Sequence, residues 1–364
     1  MTLLVDDPAR SAPFLAARRE KLAALLPAAG IDALVVTHMV NVGYLSGFTG
    51  TAGIVVVTGK GCHFLTDFRY AEQAAAQAVG MNVVIYKEPL PELAALLASE
   101  GIVHAGFEGE HVSVAKADDL KKKVDAVRWK PVAGSVERLR LVKDPVEMEA
   151  IRTMAGTLAR VWPTAVELLR PGAVEREIAV ELEYRLMQEG ADCRAFDFIV
   201  ASGPRSAMPH GVASEKVIAK NELVILDWGA LGKGYHTDNT RTIVLGDVGP
   251  ELRGIVDLCL EANLAAIDAV RPGVTMKAID DVARGIITKA GYGPQFGHGT
   301  GHGVGRDIHE KPTVSWRDET PAQIGMVFTI EPGIYLPGRG GVRIEDMVHV
   351  TERGCEVLTE RVPK

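Results

Sequence analysis

The chain has 364 residues, 47% hydrophobic and 24% charged, with a formal net charge of −7. That length exceeds one ordinary core and points to a soluble enzyme-sized protein of two domains. The acidic balance argues against nucleic acid, because phosphates are met by clustered lysine and arginine.

The only basic cluster, Lys121, Lys122 and Lys123, sits among Asp118, Asp119 and Asp125 and reads as a solvated helix face. No apolar run approaches the roughly 18 residues needed to cross a bilayer. Residues 1–10 carry Asp6 and Asp7 and no basic stretch before an apolar one, unlike a secretory signal. Cys62, Cys193, Cys259 and Cys355 are widely spaced with no CxxC, so they read as free or buried thiols of a reducing cytoplasm.

In chain order, residues 14–29 are rich in alanine and leucine and stop at Gly30, which predicts a helix. Strands are predicted at 33–37, 54–58, 62–66 and 83–86, with helices at 71–79 and 92–99. This is an α/β domain, assigned residues 1–140, followed by a second domain over 141–364. The second opens at Asp144 and Pro145, an N-cap followed by proline in the first turn of a long helix. Another helix is predicted from Glu175 to a stop at Gly190. The stretch ending Arg170-Pro171-Gly172, with its following helix, recurs 101 residues later at Arg271-Pro272-Gly273. Pro209-His210 is echoed by Ile308-His309, 99 residues on. After each histidine comes an apolar strand ending in an acid, Asp227 or Glu331, and then a second acid, Asp238 or Glu345. The repetition suggests two related halves around one site.

Residues 223–227 form a buried strand running into Asp227, and the glycines at 232 and 234 would turn the chain back towards Asp238. Two carboxylates held together repel unless a cation or a proton lies between them. A lone Asp at a strand end is an ordinary turn cap, and that reading stays open for either residue. Residues 297–305 have glycine at every odd position, which disfavours a helix. As a strand, His298, Thr300 and His302 would share one face while glycine permits close backbone approach. A phosphate loop does not fit: GxGxxG cannot be aligned and no GK[ST] follows. Alternation over residues 341–346 puts Arg343 and Glu345 on one face, with Asp346 structural rather than a ligand. Four carboxylates and an imidazole suit hard divalent ions, Mn²⁺ ahead of Zn²⁺ or Co²⁺, and carboxylates able to bridge point to a pair of them.

Together these segments resemble the metal-dependent Xaa-Pro peptidases, the aminopeptidase P and prolidase group. The resemblance is carried by residues 201–210, 226–230, 237–242, 298–310, 329–335 and 341–346, and more weakly by 41–53 and 66–70. It implies an α+β architecture: a C-terminal pita-bread catalytic domain with pseudo-two-fold halves, preceded by a smaller creatinase-like α/β domain. It further implies that Asp227, Asp238, His302, Glu331 and Glu345 bind two divalent metal ions, Asp238 and Glu345 bridging them. A shared water, its pKa brought towards roughly 7, would attack the carbonyl before proline. Glu331 would relay a proton, and His210 and His309 would hold the carbonyl or oxyanion. His298 and Arg343 would touch substrate or support the ligands, with Tyr335 near the proline. The partners implied are a proline-containing peptide and a second copy in a homodimer, with neither nucleic acid nor membrane.

Within this group the reading leans to the aminopeptidase P type, with an Xaa-Pro dipeptidase as the alternative. A dipeptidase must clamp the proline carboxylate, for which Arg317 is the candidate. Methionine aminopeptidase shares the ligand set, but the large N-terminal domain and the block from Met208 to Gly211 favour the Xaa-Pro group. The intact ligand set argues against a metal-free creatinase-like enzyme and against a non-catalytic binding protein on the same fold. Arg306 and Asp307 depart from the apolar pair common in relatives and leave the packing near His309 in question.

Overall fold

The computed structural model describes residues 6–364; residues 1–5, part of the stretch weighed as a signal, lie outside the described residues. The chain divides into two compact units, Met1–Arg140 and Leu141–Lys364.

The first unit begins with helix α1 (Pro8–Ala29), started earlier than predicted because Asp7 caps the N–H groups of Ala9 and Arg10. Its glycine stop holds: Gly30 lies at φ 67 and donates back to Leu26 and Pro27. Strand β1 (Ala33–Val36), helix α2 (Met39–Ser46), strands β2 (Ile54–Thr58) and β3 (Cys62–Asp67), helix α3 (Ala71–Gln77) and strand β4 (Asn82–Tyr86) follow. Helix α4 (Pro89–Glu100), strand β5 (His104–Glu108), helix α5 (Val114–Lys123), strand β6 (Arg128–Val132) and helix α6 (Glu137–Arg140) complete it. The six strands form one sheet in the order β4-β3-β2-β1-β5-β6. β1 is central and wholly buried: Leu34 and Val36 enter the core on one face, Ala33 and Val35 that on the other. β5 and β6 carry no clear apolar pattern and were not predicted. β6 is an edge strand, where Pro131 is tolerated.

The second unit opens with α7 (Pro145–Leu168), whose Asp144 and Glu147 form a reciprocal capping box. It continues through α8 (Glu175–Gln188), β7 (Cys193–Arg194), β8 (Ile199–Ser202), β9 (Glu222–Trp228), β10 (Ala230–Gly232), β11 (Tyr235–His236) and β12 (Asn239–Leu245). The second half has α9 (Pro250–Ala269), α10 (Met276–Lys289), β13 (Gly301–Gly303), β14 (Glu310–Val314), β15 (Val327–Ile330), β16 (Gly333–Leu336), β17 (Gly340–Arg343), β18 (Asp346–Val350) and β19 (Cys355–Val357). The sheet β12-β9-β8 serves the first half and β14-β13-β15-β18-β19 the second.

The duplication is visible in the backbone. Gly172 donates to Ile218 and Gly273 to Ala322; Glu175 donates to Lys216 and Met276 to Thr320; Arg176 donates to Ser214 and Lys277 to Asp318. Each half therefore ties the start of its second helix to the segment before its acid-bearing strand by the same bonds.

Candidate active site

Strand alternation aims the acids. On β9, Val224, Leu226 and Trp228 enter the core shared with α7 and α8, so Ile225 and Asp227 point the other way. On β15, Phe328 and Ile330 are core residues, which leaves Thr329 and the following Glu331 on the opposite side. Val342 and Ile344 are buried in that same core, so Arg343 and Glu345 also face away from it, as the alternation predicts. Asp238 is delivered by a tight turn in which Lys233 and Gly234 both have positive φ, 59 and 76, between β10 and β11. The pairing of β9 with β12 then sets Thr240 directly opposite Asp227.

These side chains line one cavity of about 750 Å³ that also takes in His210, His298, His302, His309 and Tyr335. His302 Nδ1 donates to the Gly303 carbonyl at 3.1 Å, which turns Nε2 towards the acids. That nitrogen is 3.3 Å from Glu331 Oε1 and 3.5 Å from Asp238 Oδ2. Ligand atoms of Asp238, His302 and Glu345 all lie within 4.8 Å of one another. Thr240 Oγ1 donates to Glu345 Oε2 at 2.6 Å, and Thr329 Oγ1 to Glu331 Oε1 at 3.0 Å. Arg343 spans the site: it donates to Asp227 Oδ2 at 2.6 Å, Thr240 Oγ1 at 3.2 Å, Tyr335 Oη at 2.8 Å and the Pro209 carbonyl at 3.1 Å. Tyr335 Oη in turn lies 3.0 Å from His298 Nε2, while His298 Nδ1 donates to the Gly299 carbonyl. His309 packs edge-on against His302, ring centres 4.4 Å apart.

The electrostatics follow from this crowding. Burial, then the charges of Asp227 and Glu331, pushes Asp238 well above the usual carboxylate range. Burial and Asp238 do the same to Glu345. Asp227 is raised by burial, against the pull of Arg343. Glu331 goes the other way: burial raises it, but His302, His298 and Arg343 outweigh that and leave it below its ordinary value. Burial lowers His298 and His309, and lifts the Tyr335 phenol to about 12.

The nine residues expected as metal ligands or catalytic groups, and Tyr335 with them, thus line one cavity. Two details differ from expectation. Only residues 301–303 of the glycine run pair as a strand, and Thr300 turns away from the histidines to donate to Asp280 at 2.7 Å. The glycines are needed for contact: a Cβ on Gly301 would sit 1.9 Å from the Thr329 carbonyl oxygen, and one on Gly303 2.2 Å from that of Lys311. Arg317 does not line this cavity; it lies over the Trp316 ring and faces a neighbouring cleft with Lys311 and Asp318. As expected, Asp346 is structural, paired with Arg241 at 2.8 Å. Near His309, Arg306 lies over the Tyr235 ring. Thr240 went unremarked in the sequence, although the register of β12 opposite Asp227 marks it as a neighbour of the acids.

The donor set fits cations. Asp227 Oδ1, Asp238 Oδ1 and Glu345 Oε1 are buried and receive no hydrogen bond. Carboxylate oxygens taken from water without a donor are strongly destabilising unless a positive charge meets them. The other ligand-like group among the described residues, His38, His111 and Glu137, has its two rings stacked at 3.8 Å and 6°. Two imidazoles sharing an ion must diverge from it, so the stacked pair is not shaped to hold one.

Comparison with known proteins agrees. Residues 149–352 match the model of metallopeptidase family M24, and residues 18–142 match the creatinase/prolidase N-terminal domain. The Xaa-Pro dipeptidase of Pyrococcus furiosus is 39% identical over 345 residues, covering 94% of this chain and 97% of that protein. The structure of an Xaa-Pro dipeptidase from Bacillus anthracis matches with TM-score 0.93 and 42% identity over 95% of this chain and 98% of that one. An X-Pro aminopeptidase from Thermotoga maritima matches with TM-score 0.88 and 36% identity over 94% and 97%.

Proposed function

Since the chain belongs to metallopeptidase family M24, its pita-bread catalytic domain preceded by a creatinase-type domain, we propose that it is a dinuclear metal-dependent Xaa-Pro dipeptidase. The observation that carries the metal reading is the trio of buried acceptor oxygens on Asp227, Asp238 and Glu345 opening on one cavity. The lean to the aminopeptidase P type is given up in favour of its alternative. Relatives named as Xaa-Pro dipeptidases or prolidases, from two Pyrococcus species and Bacillus anthracis, outweigh the aminopeptidase from Thermotoga maritima. The dipeptide preference rests on those relatives. Arg317 lines a neighbouring cleft and not the catalytic cavity, and is dropped as the carboxylate clamp.

Asp227, Asp238, His302, Glu331 and Glu345 would hold two divalent ions, with Mn²⁺ the favoured metal for so oxygen-rich a set. Bound there, the ions would acidify a water and polarise the scissile carbonyl. Glu331, held below its ordinary pKa by His302, His298 and Arg343, is ionised at neutral pH, and its carboxylate would carry a proton from the attacking water to the leaving proline nitrogen. His210 and His309 line the cavity and would donate to the carbonyl oxygen as it gains charge. Arg343 fixes Asp227 and, through Tyr335, orients His298. The resemblance to the Xaa-Pro peptidases also implies a homodimer, which light scattering would check.

The test is turnover of Ala-Pro against Ala-Pro-Ala by protein reconstituted with Mn²⁺. Cleavage of the dipeptide alone is expected. Efficient release of alanine from the tripeptide would restore the aminopeptidase P reading. Release of Met from Met-Ala-Ser with no action on either proline peptide would make the protein a methionine aminopeptidase.

A further inference from the structure

Each half of the catalytic unit carries a buried acid that the proposed chemistry does not use. Glu175, at the first residue of α8, has no exposed surface. Its carboxylate accepts from Ser202 N and Oγ, both at 2.8 Å, and from Ser214 N at 3.2 Å and Oγ at 2.6 Å. Arg205 completes the set. Asp280, on α10, is equally buried. It accepts from Thr300 N at 3.1 Å and Thr300 Oγ1 at 2.7 Å, and pairs with Arg284 at 2.7 and 2.8 Å. Arg284 then donates to the Phe296 and His298 carbonyls at 3.0 and 2.8 Å.

The two devices match in kind though not in sequence position. In both, a helix-borne carboxylate grips the N–H and the hydroxyl of a Ser or Thr on the arm, Thr300 alone in one half and Ser202 with Ser214 in the other, and an arginine closes the grip. The gripped residues lie on corresponding arms: residues 202–214, held at both ends, carry His210, and residues 298–309, held at Thr300, carry His298, His302 and His309. Burying a carboxylate with its arginine is a poor route to stability, since an apolar pair of similar volume often does as well. What a charged acceptor with four or more donors does supply is a fixed backbone geometry. Its appearance twice, at helix positions one turn apart, on the arms that present the histidines, is what a positioning role requires.

We propose that Glu175 and Asp280 are positioning residues, one per half: Glu175 fixes the arm presenting His210, and Asp280 fixes the arm presenting His298 and His302. This rests on the dinuclear peptidase reading. The two arms do different work, so the two acids have different signatures. Glu175→Gln should lower kcat/KM for Ala-Pro by tenfold or more while leaving the Mn²⁺ dissociation constant unchanged. Asp280→Asn should weaken Mn²⁺ binding, through misaimed His302, by about 10- to 100-fold.

The experiment measures Mn²⁺ affinity by equilibrium dialysis, kcat and KM at saturating Mn²⁺, and thermal midpoints, for wild type and both variants. Ser202→Ala and Thr300→Val, which remove only the hydroxyl donor, are carried alongside and should show the same split with smaller amplitude. If an acid variant fails to fold, these two decide. Lowered midpoints with unchanged Mn²⁺ affinity and unchanged kcat and KM would make both acids merely structural and overturn the proposal. Should wild type not cleave Ala-Pro, the substrate reading falls, and the Mn²⁺ affinity of Asp280→Asn and Thr300→Val still decides this inference.

Discussion

Replacing Glu345 by glutamine should reverse its effect on stability according to whether metal is bound. Glu345 Oε2 accepts from Thr240 and can keep doing so as the amide oxygen. The other oxygen, Oε1, receives no hydrogen bond and lies in the group with Asp238 and His302, ligand atoms within 4.8 Å. An amide nitrogen there becomes a donor facing an acid instead of a second negative charge. Two unit charges at that separation repel by about 3.5 kcal/mol at an effective dielectric near 20. Burial and the surrounding acids, Asp227 and Glu331 for Asp238 and Asp238 first for Glu345, raise both carboxyls, so proton uptake already relieves part of this. A gain of about 1–2 kcal/mol remains, or some 2–8 °C in the midpoint of a unit this size. With Mn²⁺ at a hundred times its dissociation constant, wild type should gain about 2.7 kcal/mol from which the variant is excluded. Calorimetric melts of chelator-stripped and Mn²⁺-loaded proteins should therefore cross: the variant melts higher without metal and lower with it. A variant that melts below wild type without metal, or that gains as much from Mn²⁺, would refute the reasoning.

His309→Ala should cut kcat by about 10²–10³-fold with Mn²⁺ affinity unchanged, if that imidazole supports charge developing on the carbonyl oxygen; single-turnover rates with Ala-Pro check it. Glu331→Gln should lose both Mn²⁺ affinity and turnover, because one carboxylate would serve as ligand and proton carrier; dialysis and kinetics on the same sample separate the two losses. The pH dependence has a definite sign. Asp238 and Glu345 are raised in the folded state, so the metal-free protein takes up protons on folding and has their full stability below about pH 4, the unfolded carboxyl range. That stability is lost as pH rises through the folded values, where Mn²⁺ affinity should climb in step. Relative to Glu345→Gln, stripped wild type should lose stability as pH rises from 4, while Mn²⁺ binding releases protons; a wild-type midpoint that gains on the variant's as pH rises would contradict the shifts.

Much of the site was legible because its ligands sit where strands end. The apolar runs into Asp227 and Glu331, and the alternation of Val342 and Ile344 with Arg343 and Glu345, leave one face for each acid. Capping chemistry fixed helix edges equally well at Gly30 and Asp144. Tertiary contacts overrode local pattern elsewhere. Thr300 is spaced to join His298 and His302, yet its hydroxyl is drawn to Asp280, a partner twenty residues back on a helix. Arg317 is chemically suited to clamp a carboxylate, yet which cleft it faces depends on the path of the chain around Trp316. β5 and β6 lack a periodic signal because the sheet around them, not their own composition, makes them strands.

Two cations gripped by Asp227, Asp238, His302, Glu331 and Glu345 are the claim on which all else turns. Anomalous diffraction at the manganese edge from crystals grown with Mn²⁺ addresses it without reference to substrate. Two peaks roughly 3.5–4 Å apart, between those five side chains, are predicted. A lone peak elsewhere, or acids that stay joined by protons with no manganese between them, would contradict it.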